Sequence, residues 1–210
     1  MLIAFDFDGT LSDSEMMVLL GERHGVADEI AEITERAMND EISYAESLHE
    51  RADLLFRLDD DDAQAAFESV SLRPGAAEVI GNLREAGHHV AILTGGFDRG
   101  VEAALAAEDV EVDTIVANHL VSRNGHLTGR AEGPLIEGTK DTALEDLAEE
   151  LGVEMADTVA IGDGANDLPM LEVAGLAVGY VPKSAVEPHC DVVVGSMAQL
   201  GDLLADEGVL

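Results

Sequence analysis

With 44 acidic residues against 11 basic ones, this 210-residue chain carries a formal charge of −33, a surface that repels nucleic acid and anionic membranes alike. Its 47% hydrophobic content excludes a disordered polymer, and its length suits one well-buried core with an insertion, or two small domains. A single cysteine, Cys190, excludes an internal disulfide, and the longest uncharged run near the end, Val173–Pro182, is far too short to span a bilayer.

The chain opens on Met1-Leu-Ile-Ala-Phe-Asp6-Phe7-Asp8-Gly9-Thr10, an apolar run that reads as a strand buried on both faces and stops at two carboxylates. Carboxylates this close do not ionise together comfortably without a cation or a shared proton. Gly9 permits a sharp turn, and Thr10 can bond the turn or cap the next element. A helical region then runs to about Leu72, with helices near 14–24, 26–39, 43–57 and 61–70. Gly25, an Asn39-Asp40 turn and the acidic run Asp59–Asp62 separate them. In the third helix Leu48, Ala52, Leu55 and Phe56 recur at the spacing of an apolar face. The acidic run reads as a solvated N-cap, not a cation site.

Arg73-Pro74-Gly75 breaks this pattern, and helices then alternate with β-rich runs. A helix over 75–86 leads to a strand His89–Thr94 that stops at Gly95-Gly96-Phe97. Another helix reaches about Ala107, a strand lies near Thr114–Ala117, and Leu120–Gly129 reads as a hairpin about Asn124-Gly125. A helix over 140–151 precedes strand Thr158–Ile161, which runs into Gly162-Asp163-Gly164-Ala165-Asn166-Asp167. A helix at 167–173, strands at Ala177–Tyr180 and Val192–Val194 and a C-terminal helix complete the chain. This alternation predicts an α/β fold with a doubly wound, Rossmann-like parallel sheet. Residues 1–12 and 73–210 would form its core, and 13–72 an inserted small helical bundle capping the active face.

Three strand ends carry polar groups of complementary kinds: Asp6 and Asp8 on the first, Thr94 and Gly95 on the second, Asp163, Asn166 and Asp167 on the last. Lys140 opens a helix between the latter two. If the strands lie together, these groups converge at the carboxyl edge of the sheet, where such folds keep their ligands. The chemistry they fit is phosphoryl transfer. Asp6 and Asp163, with a backbone carbonyl near Asp8, would hold Mg²⁺ through hard oxygen donors. Lys140, the Thr94 hydroxyl and the Gly95 N–H would take phosphoryl oxygens. Asp6 would attack phosphorus to form an aspartyl-phosphate, and Asp8 would protonate the leaving alcohol and then activate water.

Asp6-Phe-Asp-Gly-Thr10, Thr94, Lys140 and Gly162-Asp-Gly-Ala-Asn-Asp167 stand in the order of the four motifs of the haloacid dehalogenase-like hydrolases, which the chain resembles over nearly its whole length. That resemblance implies Asp6 as nucleophile, Asp8 as acid/base, Mg²⁺ on Asp6, Asp8 and Asp163, and Asp167 supporting the metal's waters. Within the superfamily the chain is most similar to the phosphoserine phosphatases, which hydrolyse L-phosphoserine in serine biosynthesis. Glu15, seven residues after Asp8, Met38, and Arg51, thirteen after Met38, match positions of their helical insertion. Carried over, Glu15 meets the substrate ammonium, Arg51 its carboxylate, and Met38 and Tyr44 close the pocket. The chain departs from the usual pattern at Gly9 and Thr94, where serine is common, and at Tyr44, where phenylalanine is common.

The same core residues would serve a phosphatase, or a phosphotransferase, for another small phosphomonoester. A receiver module also combines acidic residues, a phosphorylated Asp, Thr and Lys. Receivers, however, lack a helical insertion and an acid two residues beyond the nucleophile. The seven histidines show no zinc-ligand spacing, and Lys183, which could touch a carboxylate, reads rather as an exposed loop lysine. Met16, Met17, Met155 and Met170 read as packing residues. The expected protein is a cytoplasmic monomer or homodimer, adapted to a very salty cytosol, with hinges near Leu11–Asp13 and Leu72–Gly75.

Overall fold

Among residues 1–39 and 41–210, which the computed structural model describes, seven strands form one sheet. Asp40, half of the predicted Asn39-Asp40 turn, lies outside them. β1 (Leu2–Phe5) takes the centre, because a run with no polar residue can be buried on both faces and hydrogen-bonded on both edges. Its neighbours are β2 (His89–Phe97) and β5 (Thr158–Gly162), both parallel to it. Outward from these lie β3 (Thr114–Arg123) and β4 (His126–Glu132) on one side, β6 (Leu176–Tyr180) and β7 (Val192–Val194) on the other. Only β4 runs antiparallel, folding back on β3 through Asn124 and Gly125, both at positive φ. The strand near Thr114 and the first arm of the hairpin, separate in the sequence pattern, are thus one element.

The winding reverses between β1 and β5, so their carboxyl ends flank the crevice where this kind of sheet binds ligands. Phe5 is level with Ile92 and Ile161, which brings Asp6, Thr94 and Asp163 within two residues of a common row.

Alternate side chains divide the interior. Leu2, Ala4, Ala91, Leu93 and Ala160 face α7 (Lys140–Leu151) and α8 (Leu168–Val173). Ile3, Phe5, Val90, Ile92, Val159 and Ile161 belong to a cluster that takes in α5 (Ala76–Glu85), α6 (Asp98–Ala107) and α9 (Met197–Asp206). That cluster continues into the helical insertion, α1 (Met16–His24), α2 (Ala27–Met38), α3 (Tyr44–Leu54) and α4 (Asp60–Phe67), through Met16, Leu20, Ile30, Leu48, Leu55 and Phe67. Phe56, expected on the buried face of the third helix, is 56% exposed. The helix stops at Leu54, and Arg57 turns the chain at φ 69°. Asp59 caps α4 by accepting from the Asp61 N–H, as the acidic run suggested.

The two segments joining insertion to core pair with each other: the Arg73 N–H donates to Leu11 O at 2.8 Å and the Ser12 hydroxyl to Ser71 O at 2.7 Å. A third attachment was not legible in the sequence. Arg57 N–H donates to Leu127 O, Leu127 N–H to Leu58 O and Asp60 N–H to Gly125 O, which sews the insertion to the β3–β4 hairpin. Arg99 adds bonds to Asp60 and Gln64 and stacks 5.0 Å from the Phe67 ring.

Candidate active site

Asp6 is the first residue beyond β1, 2% exposed, with its N–H bonded to Ile161 O. Asp163 and Asp167 follow β5, where a short 3-10 turn, Ala165–Asp167, carrying the half-buried Asn166, folds the chain back. One carboxylate oxygen from each of Asp6, Asp163 and Asp167 lies within 4.8 Å of the others. Lys140, at the start of α7, reaches into the group. Its Nζ lies 2.5 Å from Asp6 Oδ1 and 2.6 Å from Asp167 Oδ1, and its side chain is 2% exposed.

Asp167 differs from its two partners. Its Oδ2 accepts the N–H groups of Asp163 and Gly164, each at 2.9 Å, while its Oδ1 holds Lys140. Both oxygens are committed, so Asp6 and Asp163 are the carboxylates left for direct coordination. The donors are all oxygens, of the hard type that Mg²⁺ and Ca²⁺ take, and the residues fit such an ion. Asp8 does not join the trio with its side chain; its Oδ1 is buried without a hydrogen-bond partner among the described residues.

Burial chiefly pushes the Asp6 carboxyl up to about 7; Asp167 adds to this and Lys140 opposes it. Asp8 is held well above the usual carboxylate range by burial, then by Glu15 and Asp6. Burial alone would depress Lys140, but Asp167 and Asp6 outweigh it and keep the ammonium charged. Asp163 is raised by burial, against the pull of Lys183. Lys183 is therefore more than the loop lysine the sequence suggested: half-exposed, it places Nζ 3.2 Å from Asp163 Oδ2, and its own N–H donates to Asp163 O.

Gly9 explains one departure from the family pattern. At φ 90°, a Cβ there would lie 2.7 Å from both oxygens of Asp163, so glycine lets the β1 turn touch the β5 carboxylate. Thr94 is buried, and β2 runs on to Phe97, so Gly95 and Gly96 lie inside the strand and not after it. The Gly96 N–H donates to Thr94 Oγ1 at 2.9 Å, which leaves the hydroxyl proton for a ligand.

From the insertion, Tyr44 brings its hydroxyl so close to Gly95 that any side chain there would collide with it. Burial pushes the Tyr44 phenol up to about 12. Arg51 spends Nε on Ser47 O of its own helix; burial lowers its pKa, while the nearby Tyr44, Glu15 and Asp8 raise it. Glu15 is the N-cap residue of α1 but makes no side-chain cap bond, so its carboxylate is uncommitted to the helix; burial raises its pKa, against the pull of Lys183. Met38, expected to close the pocket, is 68% exposed at the end of α2. No pattern in the sequence signalled the part taken by Lys183, by Asn118 beneath Gly95, or by Arg73, whose Nη2 donates to Gly9 O at 3.0 Å. Among the described residues, no helix is long and apolar enough to cross a membrane.

Residues 3–172 match the family model for haloacid dehalogenase-like hydrolases. A phosphoserine phosphatase of Halobacterium salinarum is 53% identical over 208 residues, 99% of this chain and 99% of that protein. One from Methanocaldococcus jannaschii is 36% identical over 194 residues, 92% of this chain and 91% of its own. A solved phospho-aspartyl intermediate analogue of phosphoserine phosphatase matches with a TM-score of 0.89 at 33% identity, covering 96% of this chain and 97% of the other. A substrate-bound phosphoserine phosphatase complex matches with the same TM-score and identity, covering 96% of each chain.

Proposed function

This chain belongs to the haloacid dehalogenase-like hydrolases, and we propose that it hydrolyses O-phospho-L-serine to L-serine and phosphate through an aspartyl-phosphate on Asp6. The observation that carries the reading is the pairing of Asp6, held by a buried Lys140, with Asp8, whose Oδ1 is buried and bare. The relatives named phosphoserine phosphatase and the match to an aspartyl-phosphate analogue support it.

We assign Mg²⁺ to Asp6, Asp163 and a backbone carbonyl near Asp8, with Asp167 supporting; when bound, it supplies the charge that lets an anionic carboxylate meet a phosphate. Lys140 has three N–H donors, of which Asp6 and Asp167 take two, leaving one for a phosphoryl oxygen. Thr94 offers its O–H, and Gly95 its N–H, to the others. An oxygen of Asp6 bonds to phosphorus as the bond to the serine oxygen breaks. Asp8, whose surroundings favour its protonated form, gives its proton to that leaving oxygen. Asp8, now a carboxylate, then takes a proton from water as the water oxygen bonds to phosphorus and the Asp6–phosphorus bond breaks. Both carboxylates return to their starting states, with serine and phosphate released.

In the insertion, which we read as the specificity cap over residues 13–72, Glu15 would receive the substrate ammonium and Arg51 its carboxylate, with Tyr44 as a wall and Met38 closing from α2. A bidentate guanidinium suits a carboxylate. We assign the reaction to the last step of serine biosynthesis, in the cytoplasm of a salt-rich cell, by a monomer or homodimer. The charge of −33 and the Halobacterium relative support the salt reading. Thermal melts should rise steeply with KCl; a flat response would mean that the acidity serves solubility alone.

The test is phosphate release from a panel of esters in molar KCl with Mg²⁺, comparing L-phosphoserine, phosphothreonine, phosphoethanolamine, sugar phosphates and nucleotides by kcat/KM. A preference for L-phosphoserine is expected. Better turnover of another ester would leave the core chemistry and overturn the substrate.

A further inference from the structure

Asn118 lies in β3, wholly buried, beneath the segment that carries Thr94. The β2–β3 ladder pairs Thr94 with Ala117 and then Phe97 with Asn118, so Gly95 and Gly96 have no counterpart in β3. Two residues are looped out of the ladder, and their peptide needs partners from elsewhere. The Asn118 side chain supplies one: its Nδ2 donates to Gly95 O at 3.0 Å. Thr94 Oγ1 supplies the other, accepting the Gly96 N–H at 2.9 Å. The Gly95–Gly96 peptide is thus held at both ends, by a buried amide and by the hydroxyl that faces the site.

Both glycines are required by close approach. A side chain on Gly95 would collide with the Tyr44 hydroxyl, and a Cβ on Gly96 would lie 2.6 Å from Asp8 Oδ2. Their cost is a peptide flanked by the two most permissive residues, which can rotate over with little steric resistance. Rotation would withdraw the Gly96 N–H from Thr94 Oγ1 and free that oxygen to take another donor and another rotamer. Asn118 cannot turn over to follow: its Oδ1 accepts the Leu135 N–H at 3.0 Å, which fixes the sense of the amide. Leu135 lies in the segment leading to Lys140, so the same side chain ties the Thr94 loop to the Lys140 approach.

We propose that Asn118 is a positioning residue that locks the Gly95–Gly96 peptide and thereby aims the Thr94 hydroxyl at a phosphoryl oxygen. The proposal rests on the phosphatase reading for the role of Thr94. Asn118→Asp keeps the shape and the acceptor for Leu135 but turns the donor toward Gly95 into a repelling oxygen. Asn118→Ala removes both bonds and serves if the aspartate variant does not fold.

The experiment is a double-mutant cycle with Thr94→Val, read as binding of inorganic phosphate to the Mg²⁺-loaded protein by calorimetry, and as kcat/KM on whichever ester is turned over fastest. Each Asn118 variant should weaken phosphate binding about 10-fold, the worth of one charge-assisted hydrogen bond. In the Thr94→Val background the same substitution should cost under about twofold, because its effect runs through the hydroxyl. Mg²⁺ binding without phosphate should be unchanged, which a general loosening of the site would not allow. Additive losses in the cycle, unchanged phosphate affinity in a folded Asn118→Ala protein, or a parallel loss of Mg²⁺ affinity would overturn the proposal. The calorimetric readout reports on Asn118 even if L-phosphoserine is not turned over, so failure of the substrate reading is told apart from failure of the lock.

Discussion

At the carboxyl edge of the sheet nearly every charge is answered by another at close range, while in the helical insertion Glu15 and Arg51 lie near enough to perturb each other yet form no direct ion pair among the described residues. Lys140 spans Asp6 and Asp167 at 2.5 and 2.6 Å in a space closed to water. Glu15, by contrast, is exposed, Met38 is 68% exposed, and Arg51 bonds only as far as its own helix through Nε. Strand ends fixed by a ladder on each side cannot move without breaking the sheet, whereas the tip of a short helix can. The edge is built to hold one geometry; the insertion, on the proposed reading, admits and chooses. Besides the two joining segments, Arg57, Leu58 and Asp60 bond the insertion to the hairpin.

Variants on either side should separate the two regions by size and kind of effect. The largest is expected from Asp6→Asn, which removes the nucleophile and should lower kcat by on the order of 10⁴-fold or more, with no acid-stable phosphoprotein trapped. Residual turnover near wild type would move the nucleophile elsewhere. Asp8→Asn should lower kcat by roughly 10²- to 10⁴-fold while inorganic phosphate still binds. Loss of phosphate binding in that variant would make Asp8 a ligand and not an acid.

Arg51→Ala should act on selection alone, raising KM for L-phosphoserine about 10- to 100-fold and leaving phosphoethanolamine, which lacks the carboxylate, nearly unchanged. An equal loss on both esters would mean that Arg51 supports the fold or the chemistry. The smallest effect is a coupling of metal to pH at the rigid edge. Because Asp6 is raised from 3.8 to about 7, the folded protein keeps a proton there that the unfolded chain has released between these values. This group therefore costs folding nothing below about 3.8, where both states are protonated, and its penalty grows with rising pH until it is complete above about 7. Mg²⁺ binds the ionised carboxylate, so its stabilisation should grow over the same rise. Saturating Mg²⁺ should lift Tm by roughly 2–8 °C at pH 8 and much less at pH 5.5. Equal shifts at both pH values would place the ion away from Asp6.

Asp6, Asp8, Thr94, Lys140, Asp163 and Asp167 were legible in the sequence, because each follows or precedes a strongly patterned element. The ladder then converts position along a strand into position in space. The apolar run before Asp6 identified the central strand, and Asn124-Gly125 its hairpin. The extension of β2 to Phe97 was hidden, since Gly95-Gly96 resembles a breaker and a bulge is decided by the neighbouring strand. The exposure of Phe56 was hidden for a similar reason: helical spacing predicts a face but not where the helix ends.

By itself, then, the sequence determined the order of strands and helices, the acidic surface and which polar groups stand at the strand ends, all of which depend on local pattern and residue chemistry. Only the tertiary structure decided that both Asp167 oxygens are spent, that Lys183 grips Asp163, that Asn118 braces the Gly95–Gly96 peptide, and that the insertion is sewn to the hairpin. Each of these joins residues distant in the chain or settles which atom of a side chain is already bonded. Such facts arise from the packing of elements against one another, and no periodicity along the chain records them.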